Sequence, residues 1–288
     1  MKQKLTGTTM KFGAIVLAGL PFTASAWADC SRDMLEKLAG TYVDAQAKGT
    51  PAALPFAERA YYGENDRPVA VASGILSQAL PIDFSRSFHD TTQCASFTEI
   101  TSASHSHPYV IHTRMEVTED GKITVMESVV TDEDDWVFGA NEHLAQTRAE
   151  NWGEIPEDQR DRRGVLQAAA EAYINNWGAP DLPVPHGTPC ARLEGRIYTG
   201  ARDPQGQTCT MGAFPQPIQT GSRRFVIDET IGAVSIFHNF SWLDAGLGPY
   251  HPGIPASQTF RIEKGMNRYI HEVTVCLTPG CSRGRPGG

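Results

Sequence analysis

The chain has 288 residues, with 25 Lys and Arg against 33 Asp and Glu, a formal net charge of −8, and 40% hydrophobic residues. An acidic globular composition of this kind lacks the basic footprint that nucleic acid or an anionic membrane surface requires. No G-x-S-x-G, H-E-x-x-H, Gly-rich phosphate loop or dinucleotide fingerprint occurs, which sets aside classical serine hydrolases, zincins and nucleotide enzymes.

Lys2, Lys4 and Lys11 precede or open an apolar run from Phe12 to Phe22, and small residues follow at Ala24, Ala26 and Ala28. This is the layout of a secretory signal peptide. The run is too short to cross a hydrocarbon core about 30 Å thick as a helix. With cleavage placed after Ala28, residues 1–28 are the signal peptide. The exported chain then resides in the periplasm or outside the cell, has no membrane segment, and carries a net charge near −11. Its six cysteines, Cys30, Cys94, Cys190, Cys209, Cys276 and Cys281, form no C-x-x-C pair. In an oxidising compartment an even count of that kind favours disulfides over metal binding. Cys190 with Cys209 is the predicted local bridge, across a loop of about 20 residues otherwise held only by turns.

Met34, Leu35, Leu38, Tyr42, Val43 and Ala45 recur at helical spacing, and a Pro/Gly-rich turn (Gly49, Pro51, Pro55) follows. Residues 109–117 alternate as a strand, Glu119-Asp120-Gly121 makes a hairpin turn, and residues 123–131 return. The second half has the same order: a helix over about 165–177, a Pro-rich turn, then strands over 223–229, 260–263 and 267–275. Laying Gly265 on Gly121 aligns the two hairpins, which predicts two copies of one unit of roughly 120 residues. The boundaries are 29–150 for the first domain, 151–163 for a charged linker, 164–281 for the second domain, and 282–288 for a tail. The predicted fold is α+β: two tandem NTF2-like (SnoaL-like) cones, each a helix pair on a curved antiparallel sheet with a cavity at its open end. A single β-rich sandwich with peripheral helices is the competing architecture.

Histidine is the first candidate for chemistry, because its pKa suits proton transfer at neutral pH. Tyr269, His271, Val273 and Val275 share the more apolar face of the last strand, expected to line the cone, and Glu127 is the counterpart of His271 in the first half. Arg224, Val226 and Asp228 share one face of their strand, and Val234, Ile236 and His238 share one face of the next. Should both be concave, Asp228, His238 and His271 converge on one pocket, with Arg224 set to meet developing negative charge. Core packing for His271 and a surface ion pair for Arg224 with Asp228 are the structural alternatives. Arg192 and Glu194 lie on one side of an extended segment before Tyr198. In His89-Asp90-Thr91-Thr92-Gln93-Cys94, Asp90 or Thr91 is expected to cap a turn, while His89 offers a contact to substrate. His105, His107 and His112 have no patterned carboxylate with them, and no metal or other cofactor is called for.

The strings HDTTQC (His89 to Cys94), HPYVI (His107 to Ile111), VVTDEDDW (Val129 to Trp136), GTPCARLEG (Gly187 to Gly195) and RYIH (Arg268 to His271) resemble a family of secreted fungal and bacterial proteins. Its members are mostly known only as a domain of unknown function (DUF8021-like). The resemblance runs from Cys30 to Cys276 and leaves the partner of Cys281 open. It implies an exported enzyme that cleaves the β-O-4 aryl ether of small lignin-derived aromatics without glutathione. In that reading His271, Asp228, His238 and Arg224 do the chemistry, and Arg192, Glu194, Tyr198, Tyr269, Glu127 and His89 surround the substrate. Another SnoaL-like reaction (isomerisation, cyclisation or dehydration) and non-catalytic binding of an apolar ligand are the alternatives. The expected partner is a small aromatic molecule, and homodimer formation stays open.

Overall fold

The computed structural model describes residues 30–212, 220–240, 253–278 and 281. The predicted signal peptide and tail lie outside them. Helix α1 (Arg32–Lys48) opens the first unit: Ser31 Oγ accepts from Met34 N at 3.2 Å, and Gly49, at φ 61°, closes the other end by donating to the carbonyls of Ala45 and Gln46. Its buried residues Leu35, Leu38, Tyr42 and Ala45 form one apolar stripe. β1 (Phe56–Glu64), β2 (Arg67–Pro68), β3 (Phe84–Asp90), β4 (Ala95–Ser102), β5 (Tyr109–Val117) and β6 (Ile123–Thr131) make a sheet in the order β2-β1-β6-β5-β4-β3. After α2 (Ala140–Ala149) the plan repeats. α3 (Arg163–Asn176) is followed by β7 (His186–Glu194), β8 (Ile197–Tyr198), β9 (Thr220–Asp228), β10 (Ala233–Phe240), β11 (Ile254–Glu263) and β12 (Met266–Thr274) in the order β8-β7-β12-β11-β10-β9.

Two features differ from the sequence expectation. Each sheet is mixed, because β1 runs parallel to β6 and β7 parallel to β12. Each unit has one long helix against its sheet, not a pair, since α2 lies between the units. The hairpin turns do correspond, at Gly121 (φ 78°) and Gly265 (φ 70°).

α1 packs on one face of the first sheet and α3 on one face of the second. The other two faces meet each other: Phe88, Phe97, Val110 and Val129 of the first unit share a core with Val226, Phe237 and Val273 of the second. Phe97 and Phe237 touch edge to face, their centroids 6.3 Å apart. Both faces of both sheets are therefore covered, which gives the middle of the molecule a sandwich character. The predicted linker is packed into it, with Trp152 and Ile155 buried and Ile155 N bonded to Thr230 O at 2.9 Å.

The seam is locked by two exchanged aspartates. Asp90, at the end of β3, takes a two-pronged contact from Arg163 at the start of α3 (2.7 and 2.8 Å) and a bond from Ile227 N at 3.0 Å. Asp228, at the end of β9, takes Arg32 Nη1 at the start of α1 (2.9 Å) and His89 N (2.9 Å). Each carboxylate is buried and holds the first turn of the other unit's helix. Asp90 also accepts from Gln93 N at 3.0 Å, the turn cap expected from the sequence. The disulfides are Cys30–Cys94, Cys190–Cys209 and Cys276–Cys281. No described helix is long and apolar enough to cross a membrane.

Replacing Asp90 with Ala strands Arg163 and two backbone N–H groups in the seam. The expected cost is about 2–4 kcal/mol, with a similar cost for Asp228→Ala. Urea unfolding checks this: the midpoint falls at constant slope if the clasp carries the load, and an unmoved midpoint excludes that.

Candidate active site

Strand register decides which candidates meet. In β9 and β10 the pairs Val226↔Ser235 and Arg224↔Phe237 put Arg224, Val226 and Asp228 on the seam face with Ser235 and Phe237. His238 belongs to the opposite row, with Val234, Ile236 and Phe240, facing α3. His271 pairs with Thr259 and faces the seam. The expected convergence of Asp228, His238 and His271 therefore does not form. Asp228 and His271 share a face but stand three strands apart, roughly 14 Å at strand spacing, and His238 is on the far side of the sheet. The error has a physical source: a sheet covered on both faces offers two apolar rows, and the row carrying His271 packs on the other unit instead of lining a cone.

Around His271 the seam holds an ionic network. His271 Nε2 and Trp152 Nε1 both reach Glu150 Oε2, at 2.6 and 2.9 Å, and Arg86 Nη2 lies 3.4 Å from His271 Nδ1. Arg86 also bonds Glu99 at 2.7 Å and lies 4.0 Å from the centre of the Trp152 ring. His143 offers Nε2 to the other Glu99 oxygen at 2.9 Å and Nδ1 to Gly195 O at 3.1 Å, so both ring nitrogens face acceptors. Burial works against the charge on Glu99, but Arg86 and His143 outweigh it and hold the carboxyl well below its usual range. His112, beside them, is pushed down to about 3 by burial. Arg86, His143 and His271 thus meet the Glu99 and Glu150 carboxyls. Ligand atoms of Glu99, His143 and His271 lie within 4.8 Å of one another, the spacing of a metal triad. The Arg86 guanidinium already touches two of the three, and a second cation there would face direct repulsion, so the cluster reads as an ion-pair lock.

Other predicted contacts also lie on the seam. Glu127 pairs with Arg114 (3.0 Å) and Arg224 (3.1 Å), and Arg224 reaches Asp66 (3.0 Å). Tyr269 lies 5.9 Å from Trp152, and Phe237 is in the shared core. His89 donates its backbone N–H to Asp228. Tyr198 is half-buried on β8, where burial and then Glu150 raise its pKa.

Of the predicted residues, Arg192 and Glu194 come together on the side of the second sheet that faces α3, and His238 lies on that same side but three strands away on β10. Pairing of β7 with β12 sets Arg192 opposite Ile270 and Glu194 opposite Glu272, and pairing of β11 with β12 adds Gln258. Gln258 Nε2 and Thr274 Oγ1 each bond Glu272 at 2.8 Å. Arg192 Nη2 is 3.8 Å from Glu194, which accepts from Trp136 Nε1 at 2.7 Å. The turn that carries Glu194 is fixed by Gly195 (φ 53°), where a Cβ would lie 2.4 Å from Val137 O. Burial, with the Glu194 carboxylate next to it, pushes Glu272 up to about 7. Burial pushes His238 down to about 4. Tyr173, Trp177, His238 and Phe260 form an aromatic wall, with Tyr173 centred 5.6 Å from both Trp177 and Phe260, and Phe225 packs against the same core. Tyr173, Gln258 and Glu272 escaped sequence reasoning. The helical spacing that flags Tyr42 flags Tyr173 equally, but Glu272 sits on the face taken for the outside.

A family described as a domain of unknown function (DUF8021) matches residues 159–274, from just before α3 to the end of β12. The second unit resembles that family. The interior described above lies within that DUF8021-like stretch, whereas the strings HDTTQC, HPYVI and VVTDEDDW fall outside it. No curated protein matches the chain. Among solved structures, a protein of unknown function with a cystatin-like fold from Methylobium petroleophilum PM1 aligns with 36% of this chain and 79% of its own, at 17% identity and a TM-score of 0.30.

Glu272 keeps its proton in the folded state to a higher pH than in the unfolded chain, where an ordinary carboxyl ionises near 4.5. Between about pH 4.5 and 7 the folded form binds more protons, so this group makes stability fall as pH rises. Thermal unfolding of Glu272→Gln against the parent checks the sign: the variant's relative stability is expected to rise across that window. A flat difference means that Glu272 is ionised throughout.

Proposed function

We propose that the second unit is an NTF2-like (SnoaL-like) cone whose interior performs acid–base chemistry on a small aromatic molecule outside the cytoplasm. The specific reaction is glutathione-independent cleavage of a β-O-4 aryl ether. The observation that carries the acid–base part is the Glu194–Glu272 pair, in which burial and mutual repulsion keep one carboxyl protonated near neutral pH beside Arg192. A carboxyl raised in this way is suited to serve as a general acid. The aryl ether itself comes from the family resemblance, and the three disulfides agree with export.

In this reading Glu194, as carboxylate, takes a proton from a water that attacks the ether-bearing carbon. The new C–O bond forms as the aryl ether C–O bond breaks, and Glu272 delivers its proton to the departing phenolic oxygen. The Nε and Nη1 of Arg192, buried and without a partner among the described residues, steady the charge that gathers there. His271 holds the units together through Glu150 and Arg86 and is assigned no step.

Purified protein incubated with an arylglycerol β-aryl ether dimer, without glutathione or added metal, is expected to release phenol, followed by chromatography. Glu272→Gln should lower kcat by about 10²–10⁴ while the fold persists. His271→Gln should lower the unfolding midpoint far more than the turnover of folded protein. Absence of release from every stereoisomer removes the ether reaction. Release untouched by Glu272→Gln removes the assigned acid.

A further inference from the structure

The two units carry their own internal comparison. Equal position in the helix places Tyr173 of the second where the first has Tyr42, and strand register places Gln258 where it has Thr113, Glu272 where it has Ser128, Glu194 where it has Glu64, and His238 where it has Ile100. In the first unit this set closes on itself. Tyr42 Oη meets Thr113 Oγ1 at 2.7 Å, Thr113 meets Ser128 at 2.8 Å, and Glu64 accepts from Tyr62 Oη and from Ile75 N. In the second unit Gln258 bonds Glu272 at 2.8 Å, but Tyr173 Oη and Nε and Nη1 of Arg192 are buried without a hydrogen-bond partner among the described residues. An unpaired buried polar group is destabilising, and three such atoms together in one interior are a standing penalty unless something meets them.

We propose that this interior binds one uncharged ligand per chain, with an acceptor oxygen on Arg192 and Tyr173 and its other end toward Gln258 and His238, and that the first unit's interior is a closed copy that binds none. The inference rests on the location of the site given above and not on the ether reaction. The polarity follows from the open atoms: Arg192 supplies donors only, and Tyr173 can donate or accept. Neutrality follows from the surroundings. An anion would face the Glu194 and Glu272 carboxyls, and a cation would face Arg192 across an aromatic wall. Between the two polar ends the ligand meets Trp177 and Phe260, so its middle is flat and apolar.

The test uses the full chain and 4-hydroxybenzyl alcohol, which carries a hydroxyl at each end of an aromatic ring, with 4-hydroxybenzoate as its anionic counterpart. Titration calorimetry is expected to give one site per chain, with the benzoate bound at least about tenfold more weakly. Tyr173→Phe keeps the ring contacts to Trp177 and Phe260 and is expected to weaken the alcohol about tenfold, the loss of one hydrogen bond. Arg192→Met should weaken it further. Tyr42→Phe, the matching change in the first unit, should leave affinity unchanged. No heat with the alcohol, two sites per chain, equal affinity for the benzoate, or indifference to both Tyr173→Phe and Arg192→Met would each overturn the proposal. Binding with this pattern but no phenol release from ether dimers leaves it standing and removes only the ether chemistry. Phenol release without this binding pattern does the reverse.

Discussion

Everything in this molecule depends on burying the second face of each sheet. A six-stranded sheet covered by one helix leaves its other face exposed, and here that face carries Phe88, Phe97, Phe237 and Val273. Packing the two sheets together removes this surface from water but also buries every polar group on it. The exchanged aspartates answer that problem: each satisfies backbone N–H groups of the seam and an arginine of the partner unit's helix with one carboxylate. Because the helix that covers one unit starts from a residue gripped by the other, neither half can shift without loosening both.

The same constraint explains why so much histidine and carboxylate chemistry in this chain is architectural. Glu99, His143, His271, Glu150 and Arg86 have the residue types of an active site, and His271 with Glu150 has the geometry of a base and its orienting carboxylate. Their ring nitrogens and most of their oxygens are already spent on one another, and the guanidinium lies against Trp152. A group that must transfer a proton to a substrate needs a free nitrogen or oxygen facing space. Most of those in the seam face each other, whereas between α3 and its sheet Tyr173 Oη and Nε and Nη1 of Arg192 have no partner among the described residues.

Much of the fold was legible in the sequence. The hairpin of β5 and β6 and the helix α3 follow from alternation and from three- and four-residue spacing, and the two turn glycines carry the repeat. What local pattern could not supply was the identity of the covering element. Val273 and Val275 mark a buried row, and nothing in the alternation says whether a helix or another sheet lies over it. That one unknown moved His271, Tyr269 and Glu127 from a presumed cavity into the seam and left Glu272 on a face taken for the outside. The parallel pairing of β7 with β12, which brings Glu194 beside Glu272, joins segments nearly 80 residues apart and has no local signature. Arg192, Glu194 and His238 were picked out by residue type, and their place on one side of the second sheet follows only from the register.

The divergence of the two copies suggests why both are present. A single unit would leave its seam face bare, so the first copy serves the second as a wall. It also reaches into the second copy's interior: Trp136, just after β6, donates to Glu194, and Val137 O lies so close to Gly195 that only glycine fits there. The carboxylate nearest Arg192 is therefore positioned by a segment of the first unit. With its own interior closed by the Tyr42–Thr113–Ser128 chain, the first copy has become scaffold, and the polar atoms left open in the second are free to face a ligand. Duplication followed by closing one cavity is a direct physical route from a symmetric pair to one supported site.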